Sequence, residues 1–207
     1  MLDKTGFDLW ADGYDKAVGL SDESCTYPFA GYKQVLGSIY RQVMSQEPCP
    51  VLDLGFGTGT LAARLYQQGR EVWGLDFSPK MREAAQAKMP DAHLFSGDFT
   101  AGLPAPLRER RYGFIVSTYA LHHLTDGEKP GFLRELLPLL LPGGKLLIGD
   151  VAFASRAQLE ECRAQAGDDW DGDEFYFVYE ELRAFFPAMT FEPCSHCAGV
   201  LALSARN

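Results

Sequence analysis

Three glycines and two aspartates in the first half of the chain have the types and spacing of a small-molecule binding site. Gly55, Gly57 and Gly59 alternate directly after a short apolar segment, and Asp53 lies two residues before the first glycine. Glycine lacks a Cβ atom and accepts positive φ, so such a turn lets the backbone approach a ligand and deliver it to the N-terminus of a following helix. Asp76 ends the next apolar segment, where a carboxylate can accept hydrogen bonds from both hydroxyls of a ribose. Together these residues predict an adenosine pocket.

The spacing of the glycines separates two classes of nucleotide pocket. Dinucleotide-binding proteins favour G-x-G-x-x-G, whose third glycine permits close helix packing while the helix N-terminus meets a pyrophosphate. Here the third glycine is Gly59 and residue 60 is a threonine, which gives G-x-G-x-G. A tight strand-to-helix connection that binds nothing also uses glycines, so that alternative stays open beside the two nucleotide pockets.

Two further motifs resemble functional sites, but their context argues against such a role. Cys194 and Cys197 are three residues apart in a predicted strand, where their side chains would point to opposite faces, and no second cysteine pair completes a structural zinc site. We therefore expect no metal. The acidic segment 168–174 and the aromatic residues after it are typical of a solvated loop, although such a loop can also close over a substrate.

Hydrophobic periodicity predicts the elements that position these residues. Ser78 followed by Pro79 is typical of a helix N-cap with proline at the first helical position. The predicted strands are 51–54, 71–76, 93–95, 114–117 and 145–148, and the predicted helices are 32–43, 60–65, 81–89, 132–141, 157–166 and 179–186.

Alternation of strand and helix indicates an α/β fold in which helices cover both faces of a parallel sheet. Segments 190–196 and 199–204 are strand-like and close together, so they predict a hairpin that adds an antiparallel edge. No internal repeat or long linker interrupts the pattern. The simplest interpretation is one domain over residues 1–207.

Composition and charge disfavour several classes of protein. The 207 residues are 46% hydrophobic and 23% charged, and 19 basic against 28 acidic residues leave a net charge of −9. We expect no nucleic-acid or membrane partner, because an acidic chain repels phosphate. The longest nearly apolar run, 136–141, contains Pro138 and falls far short of the roughly 20 residues that span a bilayer. The first residues lack the pattern of a signal peptide, and five scattered cysteines fit a reducing compartment, so we expect a cytoplasmic protein with free thiols.

The motifs, in this order, resemble those of the class I S-adenosylmethionine-dependent methyltransferases, and most of all the small bacterial methyltransferases called YrrT. The resemblance begins in the segment 51–59 and covers nearly the whole chain. It implies a Rossmann-like fold with a mostly parallel seven-stranded sheet and an antiparallel last strand. The other segments that carry it are 76–79, 97–99, 116–124, 141–146 and 191–203, together with Trp10, Tyr14 and Asp15.

The resemblance implies S-adenosyl-L-methionine as the cofactor and assigns contacts to individual positions. The glycine turn would pack on the methionine part, and Asp76 would bind the ribose. Asp98 would accept from the adenine amino group while Phe99 offers its backbone N–H, and Phe77 or Met81 would either sandwich the ring or belong to the core. The full expected set of cofactor-binding residues is Tyr14, Asp53, Gly55, Phe56, Gly57, Thr58, Gly59, Asp76, Phe77, Met81, Gly97, Asp98, Phe99, Ser117 and Tyr119.

Methyl transfer asks side chains mainly to position the reactants and exclude water, since the cofactor already carries an activated methyl group. An acceptor that must lose a proton needs a base near the carboxyl ends of the fourth and fifth strands, where His122, His123 and Asp150 are the candidates. The resemblance places segments 1–30 and 152–178 over the acceptor, with Tyr14 expected to close over the carboxylate end of the cofactor.

The sequence therefore predicts in-line methyl transfer to a small-molecule acceptor by a monomer or homodimer. Two alternatives stay open. Thr60 and the segment 117–124 argue against an NAD-dependent oxidoreductase. The second alternative is a module that binds S-adenosylmethionine or S-adenosylhomocysteine without turnover. The sequence is compatible with it, because methyl transfer has no obligatory catalytic residue that would identify an enzyme.

Overall fold

The computed structural model describes residues 25–205, so the prediction for Tyr14 lies outside the described residues. The helices and strands are α1 Tyr32–Met44, β1 Val51–Leu54, α2 Thr60–Gln67, β2 Val72–Asp76, α3 Pro79–Lys88, β3 His93–Ser96, α4 Ala105–Arg108, β4 Tyr112–Thr118, α5 Lys129–Leu136, β5 Leu140–Phe153, α6 Arg156–Ala166, β6 Phe177–Val178, α7 Tyr179–Phe185, β7 Thr190–Pro193 and β8 Ala198–Ser204. Short 3-10 turns lie at Phe99–Ala101 after β3, Leu121–His123 after β4, Leu137–Leu139 after α5 and Gly167–Asp169 after α6.

Seven strands form one continuous sheet in the order β3-β2-β1-β4-β5-β8-β7. All neighbours from β3 to β5 are parallel, whereas β8 is antiparallel to both β5 and β7. The two-residue strand β6 pairs in parallel with the end of β5, outside this order. The predicted α/β fold, with its mostly parallel seven-stranded sheet and antiparallel last strand, is confirmed.

Apolar residues on both faces of the strands hold the sheet between two layers of helices. All four residues of β1 are buried. Since alternate side chains of a strand point to opposite faces, Val51 belongs to one hydrophobic cluster and Leu52 to the other. The first cluster includes residues of α1, α2, α3 and α6, and the second includes residues of α4, α5 and α7.

Local sequence signals fix the helix that follows β2. The Ser78 hydroxyl accepts a hydrogen bond from the Met81 N–H at 3.2 Å, and Pro79 occupies the first helical position. A serine N-cap satisfies one of the backbone donors that a helix leaves open at its start. The predicted cap is confirmed, and it fixes the direction in which the chain leaves Asp76.

The predicted boundary between the fourth long helix and the fifth strand is wrong. Helix α5 ends at Leu136, a 3-10 turn that contains Pro138 follows, and Leu140 already pairs with Tyr112 in the sheet. Proline lacks the N–H that would continue the helix, so the apolar residues after it join β5. The register between β4 and β5 shifts here, since Tyr112 pairs with Leu140 and Phe114 with Lys145. In the extra residues of β5, Gly144 lies so close to β4 that a Cβ atom would come within 2.8 Å of the Gly113 carbonyl oxygen.

No helix within residues 25–205 has the length and apolar character needed to cross a membrane. All five cysteines of the sequence lie within the described residues, and all five are free thiols.

Candidate active site

The glycine turn leaves β1 at the carboxyl edge of the sheet and leads into α2. Gly55, Gly57 and Gly59 have φ values of +72°, +55° and +79°, a conformation that side chains with a Cβ atom rarely adopt. A Cβ atom at Gly55 would lie 2.2 Å from that of Ala120, in the turn after β4, whereas one at Gly57 would meet nothing within 4 Å. Gly55 therefore serves packing, and Gly57 faces open space at the end of β1.

Asp76 at the end of β2 is joined directly to this turn. Its Oδ2 accepts the Gly57 N–H at 2.7 Å, and its Oδ1 accepts the Ser78 N–H at 2.9 Å. Two backbone donors hold the carboxylate in one orientation beside the glycines, and only 7% of the residue is exposed. The structure thus brings together the two features from which the sequence predicted a nucleoside pocket.

Asp53 lies beneath the turn and is 1% exposed. Its Oδ1 makes no hydrogen bond with any residue in the described part of the chain. Burial and, to a lesser degree, the nearby charge of Asp76 raise the pKa of Asp53 to about 8. A carboxyl group of this kind is ready to ionise when a positive charge arrives beside it.

Several of the expected cofactor contacts have a structural role in the protein. The Phe56 ring packs against β2, where a Cβ atom on Gly74 would come within 2.6 Å of it. Ser117 donates its hydroxyl to the Leu54 carbonyl at 2.7 Å and so joins the ends of β1 and β4. Thr58 is buried, and its carbonyl accepts from the Lys88 ammonium at 2.8 Å.

The residues after β2 and β3 border the side of the pocket expected for adenine. Met81 is buried and Phe77 is half-buried beside Asp76. Gly97 donates its N–H to the Asp76 carbonyl at 2.9 Å. Asp98 is exposed and caps the following 3-10 turn, with its Oδ1 accepting the N–H of the second residue after it at 2.8 Å. The ring of Phe99 packs 5.5 Å from that of Phe132 in the core, and its carbonyl accepts the Gly102 N–H at 3.0 Å.

Tyr119, directly after β4, has φ +51°, which is rare for a bulky side chain. Its N–H donates to the Gly149 carbonyl of β5 at 2.8 Å, and its ring lies 5.3 Å from that of Phe29 and 5.2 Å from that of Tyr32. Contacts with two strands and two rings hold the strained backbone in place. Strain of this kind is concentrated at functional sites.

The three base candidates have different environments. His122 Nδ1 lies 2.7 Å from Asp150 Oδ1, and His122 Nε2 lies 3.3 Å from Glu174 Oε1. Burial alone would lower the pKa of His122, but the two carboxylates outweigh it and raise the pKa to about 10. His122 is therefore an imidazolium that donates to both carboxylates, and it is unable to act as a base at neutral pH.

His123 is the neutral member of the histidine pair. Burial, reinforced by the positive charge of His122, lowers the pKa of His123 to about 4. The two rings lie 4.3 Å apart at a steep angle. Among the three candidates, His123 is the one that is neutral and can accept a hydrogen bond at neutral pH, since Asp150 is ion-paired with His122. Its low pKa makes it a weak proton acceptor.

Hydrogen bonds and ring contacts hold the segment 170–178 against the ends of β4 and β5. The hydroxyls of Tyr27 and Tyr176 hydrogen-bond to each other, and the Trp170 ring stacks on that of Tyr27 at 5.0 Å. Lys129 is 2% exposed, and its ammonium donates to Asp126 Oδ1 at 2.7 Å and to the backbone carbonyl of Phe175. These contacts connect α5, the chain before α1 and the segment after α6.

The sequence did not single out Glu174, Tyr27 or Lys129, and tertiary contacts alone reveal them. Glu174 ends an acidic run, and the four other acidic residues and the one glycine of that run are all exposed. The one available signal was the aromatic run 175–177 that follows it, because aromatic residues next to a carboxylate indicate that the chain turns inward there.

Comparisons with known proteins agree with this geometry. Residues 51–144 match the family described as "Methyltransferase domain". An uncharacterized methyltransferase of Geobacillus kaustophilus is 37% identical over 188 residues, 87% of this chain and 84% of its own length. A second one, from a Geobacillus strain, is 38% identical over 87% of this chain and 85% of its own length.

The fold also matches that of solved enzymes. The magnesium protoporphyrin IX methyltransferase of Synechocystis, crystallised with S-adenosylhomocysteine, superposes with a TM-score of 0.66 at 19% identity, over 86% of this chain and 85% of its own. At that identity the likeness concerns the fold alone, whereas the relatives above share the sequence as well. The chain therefore belongs to the S-adenosylmethionine-dependent methyltransferase family.

Proposed function

We propose that this enzyme transfers a methyl group from S-adenosylmethionine to a small-molecule acceptor bound over the carboxyl ends of β4 and β5. The observation that carries the proposal is the junction of the glycine turn with Asp76, through the hydrogen bond from the Gly57 N–H. The comparisons favour a methyltransferase over the NAD-dependent oxidoreductase considered from the sequence.

The residues of the turn fit this cofactor. Gly57 has room where a Cβ atom would stand, Asp76 presents a fixed carboxylate for the ribose, and Asp53 keeps a buried oxygen that can face a positive group. When bound, S-adenosylmethionine would supply an activated methyl group, whose bond to sulfur would break as its bond to the acceptor forms, with S-adenosylhomocysteine as the leaving group. The Asp76 carboxylate, and an Asp53 carboxyl that can ionise on binding, suit a cofactor that carries an ammonium and a sulfonium.

His123 is the candidate that can receive a hydrogen bond from an ionisable acceptor. It is neutral at neutral pH, so it can orient an acceptor hydroxyl, amine, thiol or acid through a hydrogen bond. Its pKa of about 4 makes it a weak proton acceptor, because an effective general base has a pKa near the working pH. His122 has a positioning role instead, because its imidazolium joins the end of β5 to Glu174.

The described parts of the two expected covering segments, 25–30 and 152–178, contact each other through Tyr27, Trp170 and Tyr176. Their rings pack mainly against one another, and Glu174 is already paired with His122. The contacts support a role for these segments in excluding water from the acceptor. They do not provide the open aromatic cage that a cationic acceptor would need.

The test is isothermal titration of the purified protein with S-adenosylmethionine, S-adenosylhomocysteine and NAD. We expect micromolar binding of the first two and none of NAD. Asp76→Ala should weaken binding by about 2–4 kcal/mol, because hydrogen bonds to a charged acceptor are lost in a partly desolvated site. Asp91→Ala removes an exposed carboxylate that contacts Tyr66 outside the site, and serves as the matched control.

A screen of small acceptors for methylated product then separates an enzyme from a binding module without turnover. Unchanged affinity in Asp76→Ala would show that the ribose assignment is wrong. Tight cofactor binding without product from any acceptor would favour the binding module.

A further inference from the structure

A second group of reactive side chains lies outside the glycine turn, between α6 and the turn that joins β7 to β8. Cys162, Cys197 and His196 place one potential ligand atom each within 4.8 Å of one another. Cys197 is fully buried, Cys162 is 5% exposed, and His196 is exposed. The pairing differs from the one that the sequence motif suggests, because Cys197 meets a cysteine 35 positions earlier instead of its neighbour Cys194.

The turn that carries two of these residues is held firmly. The backbone N–H groups of Cys194 and Ser195 both donate to the Ala198 carbonyl, at 2.8 and 3.1 Å. The Ser195 hydroxyl donates to the Ala30 carbonyl at 2.6 Å and accepts the Cys197 N–H at 3.2 Å. The Cys194 thiol points to the Glu192 carbonyl instead, at 3.8 Å. The backbone therefore sets the positions of His196 and Cys197 and excludes Cys194 from the group.

The opposite side of the group opens onto a cavity of about 510 Å³. Cys162 and His196 line this cavity, together with Gln158, Glu161 and Tyr179. A tetrahedral site with three protein ligands needs room for a fourth, which a water molecule or a small ligand in the cavity can supply.

We propose that Cys162, Cys197 and His196 bind one borderline-soft divalent cation of the zinc class, with the fourth coordination position facing the cavity. Two sulfurs and one imidazole nitrogen are the donors that zinc prefers. Two thiolates would neutralise the charge of the cation, which makes a buried position favourable. In the sequence, Cys194 is the nearest cysteine to Cys197, and the fold supplies Cys162 as its partner instead.

Both thiols are protonated in the protein without metal. Burial raises the pKa of Cys197 to about 12 and also raises the pKa of Cys162. Binding must therefore displace two protons, so affinity rises with pH. The three ligand atoms already lie within 4.8 Å of one another, so they need little rearrangement to converge on one ion.

The test is a titration of the reduced, chelator-treated protein with cobalt(II), followed by displacement with zinc. We expect saturation at one equivalent, with a thiolate-to-cobalt charge-transfer band and the strong visible bands of a tetrahedral site. Cys162→Ala, Cys197→Ala and His196→Ala should each weaken cobalt binding at least tenfold. Cys194→Ala is the matched control, since its thiol lies on the same turn but points away, and it should bind as the unchanged protein does.

The exposed His196 provides a variant that preserves the core if a cysteine variant fails to fold, and circular dichroism monitors folding in each case. The absence of a thiolate band, a stoichiometry other than one, or an equal loss of affinity in Cys194→Ala would overturn the proposal. Because the readout is metal binding, its failure leaves the assignment of the glycine turn unaffected.

Discussion

Protonated His122 forms ion pairs with two carboxylates in the protein interior. Its imidazolium lies between Asp150 and Glu174, and neither carboxylate would remain favourably buried without it. The same proton makes the neighbouring His123 harder to protonate. Adjacent residues of one type thus have opposite charge states, which the local sequence does not reveal.

His122→Gln should destabilise the protein by about 3–5 kcal/mol near pH 6, because two buried carboxylates lose their cation. An unfolded histidine titrates near pH 6.5, and the pKa of His122 in the folded protein is about 10. The stabilising effect of the proton is thus fully present below about pH 6.5 and is lost as the pH rises toward 10. Urea unfolding measures the free energy of unfolding of the parent protein and of His122→Gln. The difference between the two free energies should shrink by up to about 1.4 kcal/mol per pH unit in that window.

His93→Gln, on exposed edge strand β3, controls for the loss of a histidine at the surface. A stability difference between His122→Gln and the parent that stays constant from pH 6 to 9 would mean that His122 is neutral in the folded protein.

Asp53 should couple cofactor binding to proton release. Its pKa of about 8 leaves the carboxyl protonated at pH 7, and a cationic cofactor beside it would lower that pKa. We expect up to one proton to be released per S-adenosylmethionine bound, and affinity that rises from pH 6 to 8 and levels off above. Titration calorimetry in two buffers of different ionisation enthalpy measures the release. Asp53→Asn should abolish it, and an equal proton count in parent and variant would contradict the assignment.

At the scale of the elements, glycine in the turn from β1 to α2 both permits positive φ and leaves space for a ligand. Substitutions can separate these two effects. Gly57→Ala and Gly69→Ala each place a side chain at positive φ with nothing within 4 Å, so each should cost about 1–2 kcal/mol of stability. Only Gly57→Ala should also weaken S-adenosylmethionine binding, at least tenfold, since its methyl group would enter the pocket. Thermal unfolding and calorimetry measure the two effects, and equal affinity in both variants would place the cofactor elsewhere.

The elements were predictable wherever the signal was local. The cap at Ser78, the strand before Gly55 and the terminal hairpin follow from residue type and spacing, and each is present. The end of α5 was misjudged, because the apolar run through Pro138 suits a helix or a buried strand equally well by periodicity.

In the candidate site, the glycine turn and Asp76 were predictable for the same local reason. The pairing of His122 with Glu174 was not, since 52 positions separate them and only the tertiary fold brings them together. The contact of Cys197 with Cys162 was hidden in the same way, and the intervening Cys194 suggested a different pairing.

At the scale of the whole molecule, the prediction of a single domain can be tested together with cofactor binding. S-adenosylmethionine at about one hundred times its Kd should stabilise it by about 2.7 kcal/mol, which raises Tm by roughly 5–10 °C for a domain of this size. We expect one cooperative transition in differential scanning calorimetry with and without the cofactor, and no shift with NAD. Two separate transitions would contradict the prediction of a single domain. That the protein is a monomer or homodimer stays a prediction, which sedimentation can test. Its cytoplasmic location also stays a prediction, which a localisation experiment can test.

The position of β8 in the sheet has a consequence for the growing polypeptide. Of the strands described, β8 is the last to be synthesised, yet it lies between β5 and β7 and pairs with β5 over the seven positions from Val151↔Ala198 to Lys145↔Ser204. Until residue 204 has left the ribosome, β5 presents unpaired backbone donors and acceptors along an apolar edge, to which another chain can add. Pairing of β8 with β5 is thus the last of the described sheet contacts to form during synthesis, and the open edge of β5 is a surface of the nascent chain that a chaperone can protect.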